Sequence, residues 1–475
     1  MESAGLGLWR KAWVVSGIFF IPALYVVVLL AYPPSETLLA PDSYSYVNFG
    51  ATRTSGYPFF LQLLKPIVGD LSDVTKVQLT IYGASAAWLG WQLIGTSKSV
   101  LVAMAAEALL FCNSSVNSQH FTILTESIFL SVSIIFVGAT VAYLKKPSAA
   151  ALGVVAVAVG LAATIRPTGL AFVPVVFLLI LLRSGEWKRA VVHSAIAIGL
   201  LALLFVLDTA YFRATHDGPR QSLVPMLAFA KGALVDVPNA AGLVDKALPE
   251  SRALHRSVET EIAGVRELIA GAPSATGRCR LTANYETFIQ YQFQLPLRAA
   301  LVTSEGEQSL TAFGLTRIAQ APTAYIGLVA RNLYCLWTVW SATNSEKGEL
   351  ATYLAARRPI PFDAQIFGSL ATSPSSRFIY LVRLAMEAIA VSLAFAAAAV
   401  VWSIARRQPL NIWLSLAGIC GLAAHGGLLL TALSGVAIPR YTLALWVPMS
   451  IAVLAGLLWV LDCIRSGNLL RWPLR

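Results

Sequence analysis

The stretch ILTESIFLSVSIIFVGATVAYLKK, residues 123–146, decides the fold class. From Ile123 to Leu144 it is predominantly apolar, and about 20 such residues wound as a helix cross the ~30 Å hydrocarbon layer of a bilayer. A strand of a transmembrane barrel would alternate apolar and polar side chains, and this stretch does not. It ends on Lys145 and Lys146, and near its start it carries a single acid, Glu126.

Working outward, similar runs recur at Ala12–Tyr32, Leu79–Gly95, Ser99–Cys112, Ala149–Ile165, Thr168–Leu182, Ala190–Tyr211, Phe378–Ile404, Leu410–Leu433 and Tyr441–Leu461. The predicted fold is therefore an all-α polytopic bundle of roughly ten transmembrane helices. The runs at Ser99 and Thr168 are short for a full crossing. Composition agrees: 57% hydrophobic against 12% charged residues, with a mean hydropathy of +0.69, excludes one soluble globule of 475 residues.

Basic residues of short loops stay on the cytoplasmic side. Arg10 and Lys11, Lys98, Lys145 and Lys146, Arg183, Lys188 and Arg189, Arg406 and Arg407, and Arg465, Arg471 and Arg475 all fall on one side of the ten-helix topology. The net charge of +11 is absorbed there, beside anionic headgroups, and no nucleic-acid partner is implied. The first helix has a basic flank and no small-residue cleavage site before Pro33, so it reads as a retained anchor. Two long segments are left outside, Pro33–Gln78 and Phe212–Arg377.

These assignments divide the chain into an N-terminal membrane module, 1–211, an extracytoplasmic domain, 212–377, and a C-terminal membrane module, 378–475. Within the outer domain, PTAYIGLVARNLYCLWTVW, 322–340, is apolar enough to span, but counting it would put Arg406 outside. It reads as a helix at the outer interface. Cys279 and Cys335 share that segment, where an oxidising compartment permits a bridge, and spacing leaves open whether they meet. Cys112, Cys420 and Cys463 read as structural thiols.

The first outer segment carries PDSYSYVNFGATRTSGYP, residues 41–58, with Asp42, Tyr46, Arg53 and Tyr57 just beyond the first helix. An acid followed by Tyr, then Arg and a Gly-Tyr-Pro turn, resembles the first outer loop of the GT-C superfamily of membrane glycosyltransferases. The likeness is greatest to bacterial protein-mannosyltransferase-like and aminoarabinose-transferase-like members. LTESIF (124–129), IRPTGL (165–170) and PRYTLALWVP (439–448) extend the resemblance to Pro448.

The resemblance implies a sugar moved from a polyprenyl-phosphate donor to a lipid, glycan or protein acceptor, with inversion, at the extracytoplasmic face of the plasma membrane. It gives Asp42 the role of base and marks Glu126 as a site residue. The chemistry needs both charges: a carboxylate to take the acceptor's proton and cations to receive the departing phosphate. Arg53, Arg166 and Arg440 are the phosphate-binding candidates, because a guanidinium grips phosphate in bidentate fashion. Tyr46, Tyr57, Tyr441 and His120 complete the candidate substrate site. Ser43 stands where several relatives carry a second acid, so no metal ligand is assigned and no cofactor is expected; a divalent metal is disfavoured.

Plainer readings stand beside these. Asp42 is also a good helix N-cap. Glu126 could bond Thr122, His120 or an Arg, Arg166 and Arg440 could snorkel beside their prolines, and Tyr57 and Tyr441 could anchor the interface. Glu387 reads as a partner of Arg383 four residues earlier, whereas Glu107 has no evident partner. The other functional classes compatible with the pattern are a glycan polymerase or ligase and a lipid or polysaccharide transporter. No Rossmann-type glycine signature supports a nucleotide-sugar donor.

Overall fold

In the computed structural model the chain is all helical, with no strand among the described residues. These are residues 18–33, 39–40, 42–183, 185–238, 267, 269–272, 274–288, 304–337, 389–394, 396–401, 411–437 and 439–466. Most of the charged stretch Glu250–Leu268 of the expected outer domain, the Arg383 and Glu387 pair, Arg406 and Arg407, the start of the first span and most of the Phe378–Ile404 span lie outside them.

The chain forms two compact units, one of residues 1–219, 376–427 and 443–475, the other of 220–375 and 428–442. In the first, α1 is Ile18–Ala31, α2 Ser43–Val47, α3 Gly56–Leu64, α4 Leu71–Ser97, α5 Val100–Phe111, α6 Ser114–Gln119, α7 Thr125–Lys145 and α8 Ala149–Ile165. A 3₁₀ turn, Pro167–Phe172, leads into α9, Val173–Arg183, and then α10, Trp187–Thr215. In the second, α11 is Val224–Leu234, α12 Ala275–Phe288, α13 Ser304–Gln320 and α14 Pro322–Trp337. The chain ends with α15, Ile412–Ser434, which runs from the first unit into the second, α16, Pro439–Leu443, and α17, Trp446–Arg465.

Four of these helices, α7, α10, α15 and α17, are long and apolar enough to cross a membrane. The expected spans take other forms elsewhere. The run at Leu79 lies within α4, 27 residues long because Asp70 caps its start, accepting from the Ser72 and Asp73 amides. The run at Ser99 is a helix of only 12 residues. That at Thr168 breaks into the 3₁₀ turn and α9, since Pro167 can start a turn but cannot continue α8. The run at Tyr441 is interrupted at Ala444 and Leu445, between α16 and α17. Residues 428–442, which hydropathy groups with the last helices, pack with the second unit.

α7 is the axis of the first unit. Every residue from Thr125 to Leu144 except Ile135 and Ala142 is buried, against α4, α8, α9 and α17, as expected for a helix apolar on all sides. Gly138 sits against the Trp88 ring of α4, with no room for a side chain. α10 is the opposite case: Val191, Val192, Ile198, Leu203, Val206 and Leu207 lie exposed along it, which suits a lipid-facing helix.

Lys98, Lys145 and Arg183 gather at one end of this unit. Lys98 and Lys145 donate through Nζ to the Gly95 carbonyl at 3.1 and 2.8 Å, and Arg183 Nε donates to the Leu144 carbonyl at 2.8 Å. Each covers carbonyls at the negative end of a helix. Glu126 is at the other end of α7, roughly 30 Å away at 1.5 Å per residue.

The second unit is held by polar links. The Gly232 and Gly314 backbones touch where α11 crosses α13, and Arg317, fully buried, donates to the Gly232 and Val235 carbonyls at 2.8 and 2.9 Å. Lys231 pairs with Glu286 at 2.7 Å, and Asn332 donates to the same carboxylate oxygen at 2.9 Å. Cys279 and Cys335 are joined by a disulfide between α12 and α14. The segment at Pro322 is thus a helix with Leu328, Val329, Asn332, Cys335 and Leu336 buried and Ile326 and Tyr334 exposed.

Candidate functional site

The loop between α1 and α3 folds around Arg53. Its Nη2 contacts Asp42 Oδ1 at 2.7 Å, its Nε donates to Ser45 Oγ at 2.8 Å and its Nη1 donates to the Tyr46 hydroxyl at 3.1 Å. The guanidinium also lies 4.4 Å from the Tyr46 ring centre. Asp42 does stand at the N-cap position of α2, but its backbone is helical there and its side chain makes no capping bond. The carboxylate is turned to Arg53 instead, with 19% of the side chain exposed.

A second ion pair lies deeper. Glu126, in the first turn of α7, contacts Arg166 Nη1 through Oε1 at 2.8 Å, and Thr125 Oγ1 donates to its Oε2 at 3.3 Å. The side chains of Arg166 and Glu126 are 6% and 1% exposed. Arg166 therefore does not snorkel; it joins the end of α8 to the 3₁₀ turn, and the helix break at Pro167 aims it inward.

Tyr46 links the pairs. Burial raises its hydroxyl pKa, and the charges of Arg53, Asp42, Glu126 and Arg166 all act on it. Its ring meets that of Tyr57 edge-on at 5.4 Å. Tyr57 is fully buried, which raises its pKa well above the usual phenol value, with Glu126 adding to the shift. Its hydroxyl donates to Gln78 Oε1 at 2.7 Å, so neither interface anchoring nor stacking on a sugar describes it.

Gln78 passes the contact on, donating to the His120 and Thr122 carbonyls at 3.2 and 3.3 Å. His120 is buried too: its Nδ1 lies 2.8 Å from Ser127 Oγ, its ring is 4.3 Å from that of Tyr82, and burial pushes its pKa down to about 3. It supports the site from behind and does not line it. Arg440 and Tyr441 belong to the second unit, on α16, with the Arg440 guanidinium 5.8 Å from the Tyr441 ring centre.

Several supporting residues escape a reading by motif. Ser55 donates from its amide to Asp208 Oδ1 at 2.7 Å and from its hydroxyl to the Asp208 carbonyl at 2.8 Å, fastening the loop to α10. An acid in an otherwise apolar helix was the available signal for Asp208. Gly56 lies so close to α8 that a Cβ would fall 2.8 Å from the carbonyl carbon and oxygen of Thr164. Among the described residues no three of His, Cys, Asp and Glu gather as a metal site requires. No protein-family model matches the chain, and neither a curated protein nor a solved structure shows significant similarity to it.

Proposed function

We propose that this chain is a membrane glycosyltransferase that moves a sugar from a polyprenyl phosphate to an acceptor hydroxyl on the extracytoplasmic face. The observation that carries the reading is the pairing of two carboxylates with two guanidiniums around Tyr46, at the end of α7 remote from the Lys98, Lys145 and Arg183 belt. A belt of basic residues belongs on the cytoplasmic side, so the cluster falls on the outer one. The disulfide in the second unit suits an oxidising compartment. With the helices too short or broken to be counted by length, the reading keeps a bundle of roughly ten membrane segments.

In this mechanism Asp42 takes the proton of the acceptor hydroxyl as its oxygen attacks the anomeric carbon from the face opposite the phosphate. The bond from that carbon to the phosphate oxygen breaks and polyprenyl phosphate leaves with the electron pair, inverting the configuration. Arg53, held beside Asp42 and 21% exposed, is placed to receive phosphate charge, whereas Arg166 is too enclosed to reach it and instead holds Glu126.

The test is to incubate the purified protein in nanodiscs with radiolabelled polyprenyl-phosphate sugars and membrane lipids. Transfer accompanied by release of polyprenyl phosphate is the expected result. Translocation of an intact lipid-linked glycan with no sugar-phosphate turnover would replace the transferase by a transporter.

A further inference from the structure

Behind α2 the first unit holds an open cleft of about 370 Å³, within the roughly 300–1,000 Å³ range of ligand pockets, and the cluster of ion pairs does not use it. We propose that this cleft is a saccharide subsite, which takes one pyranose ring of the acceptor; in assigning the sugar to the acceptor the proposal rests on the transferase reading.

Its floor is aromatic. Phe49 stacks on Tyr211 at 5.6 Å and 18°, and meets Phe212 and His216 edge-on at 5.6 and 4.6 Å. An aromatic floor offers a pyranose apolar surface for its axial C–H groups, and polar edges supply partners for its hydroxyls. Those edges are present: Asn48, Gln62 and Tyr211 line the cleft, and among the described residues their side-chain polar atoms have no hydrogen-bond partner.

The floor is fixed at a conformational cost. Phe49 has a φ of +46°, unfavourable for a non-glycine residue, and His216 Nε2 lies 2.7 Å from its carbonyl oxygen. The cleft is also correctly placed for an acceptor. Asp42 begins α2 and Asn48 ends it, so the carboxylate and the cleft are separated by about 9 Å of helix rise. A second cavity, of about 380 Å³, shares Val47 and Gln62 and adds Leu61, Lys65 and Val74, leaving room for a longer acceptor.

The experiment uses the full chain in nanodiscs and saturation-transfer NMR with methyl glucopyranoside, methyl galactopyranoside and, as an apolar ring of similar size, cyclohexanol. Gln62→Leu and Tyr211→Ala, both at accessible positions, are compared with the parent after their thermal unfolding is shown to match. The expected result is saccharide signal above that of cyclohexanol, reduced at least about fivefold in both variants, with a matching rise in acceptor KM. Equal signal from cyclohexanol, or saccharide signal unchanged in the variants, overturns the subsite even if the parent transfers sugar. Saccharide binding that depends on Gln62 and Tyr211 in a protein without transferase activity keeps the subsite and removes only its assignment to an acceptor.

Discussion

Asp42 and Glu126 are both carboxylates paired with arginine, and their surroundings give them different work. Asp42 is partly open and held at a loop; Glu126 is enclosed at a helix start. Asp42→Asn keeps the size and can still accept from Arg53, so thermal unfolding should be unchanged while transfer falls about 10²- to 10⁴-fold, the usual cost of a lost general base. Parental activity in that variant would move the base elsewhere. Glu126→Leu or Arg166→Met alone strands a buried charge, which typically costs about 3–5 kcal/mol. The double variant should recover most of the loss in denaturation of the purified protein; single variants as stable as the parent would show that the pair is not buried as described.

The break after α8 is the element on which the site depends. Pro167 ends the helix, Arg166 turns inward, and the last turn of α8 receives the Gly56 backbone at van der Waals limit. Gly56→Ala places a methyl against the Thr164 carbonyl, where only backbone could yield. Overpacking of this kind costs about 1–3 kcal/mol, and here it should also displace Ser55 and Tyr57. The measurement is unfolding temperature together with transfer rate: both should fall, and an alanine variant with parental values in both would refute the close approach. The Gly-Tyr-Pro turn was visible in the sequence, but its reason, the distant Thr164 backbone, was not.

Across the whole molecule, the proposed direction in the membrane rests on the separation of Lys98, Lys145 and Arg183 from the carboxylate cluster by the length of α7. With native cysteines replaced, a cysteine at Gly69 should react with an impermeant maleimide in intact cells and one at Ser148 only after lysis. The reverse pattern would put the cluster on the cytoplasmic side. In the second unit, mass spectrometry of unreduced peptides should find Cys279 linked to Cys335. Replacing both by Ser should destabilise that unit by about 2–4 kcal/mol, read by limited proteolysis. Free thiols in protein purified without reductant would contradict the bridge.

Apolar runs of membrane-crossing length and the grouping of Lys and Arg in the short loops were fixed by local chemistry, since each depends only on neighbours in the chain. Asp42, Tyr46, Arg53, Glu126 and Arg166 were legible as candidates for the same reason: charged and aromatic residues at the ends of apolar runs stand out. Packing decided which of them meet. Arg53 meets Asp42, Ser45 and Tyr46, Tyr57 and His120 are buried supports, and Asp208 and Gln78 hold the loop from helices more than 20 residues away. Such partnerships arise because buried polar groups must find hydrogen bonds wherever the fold brings a partner, and nothing in local sequence names that partner.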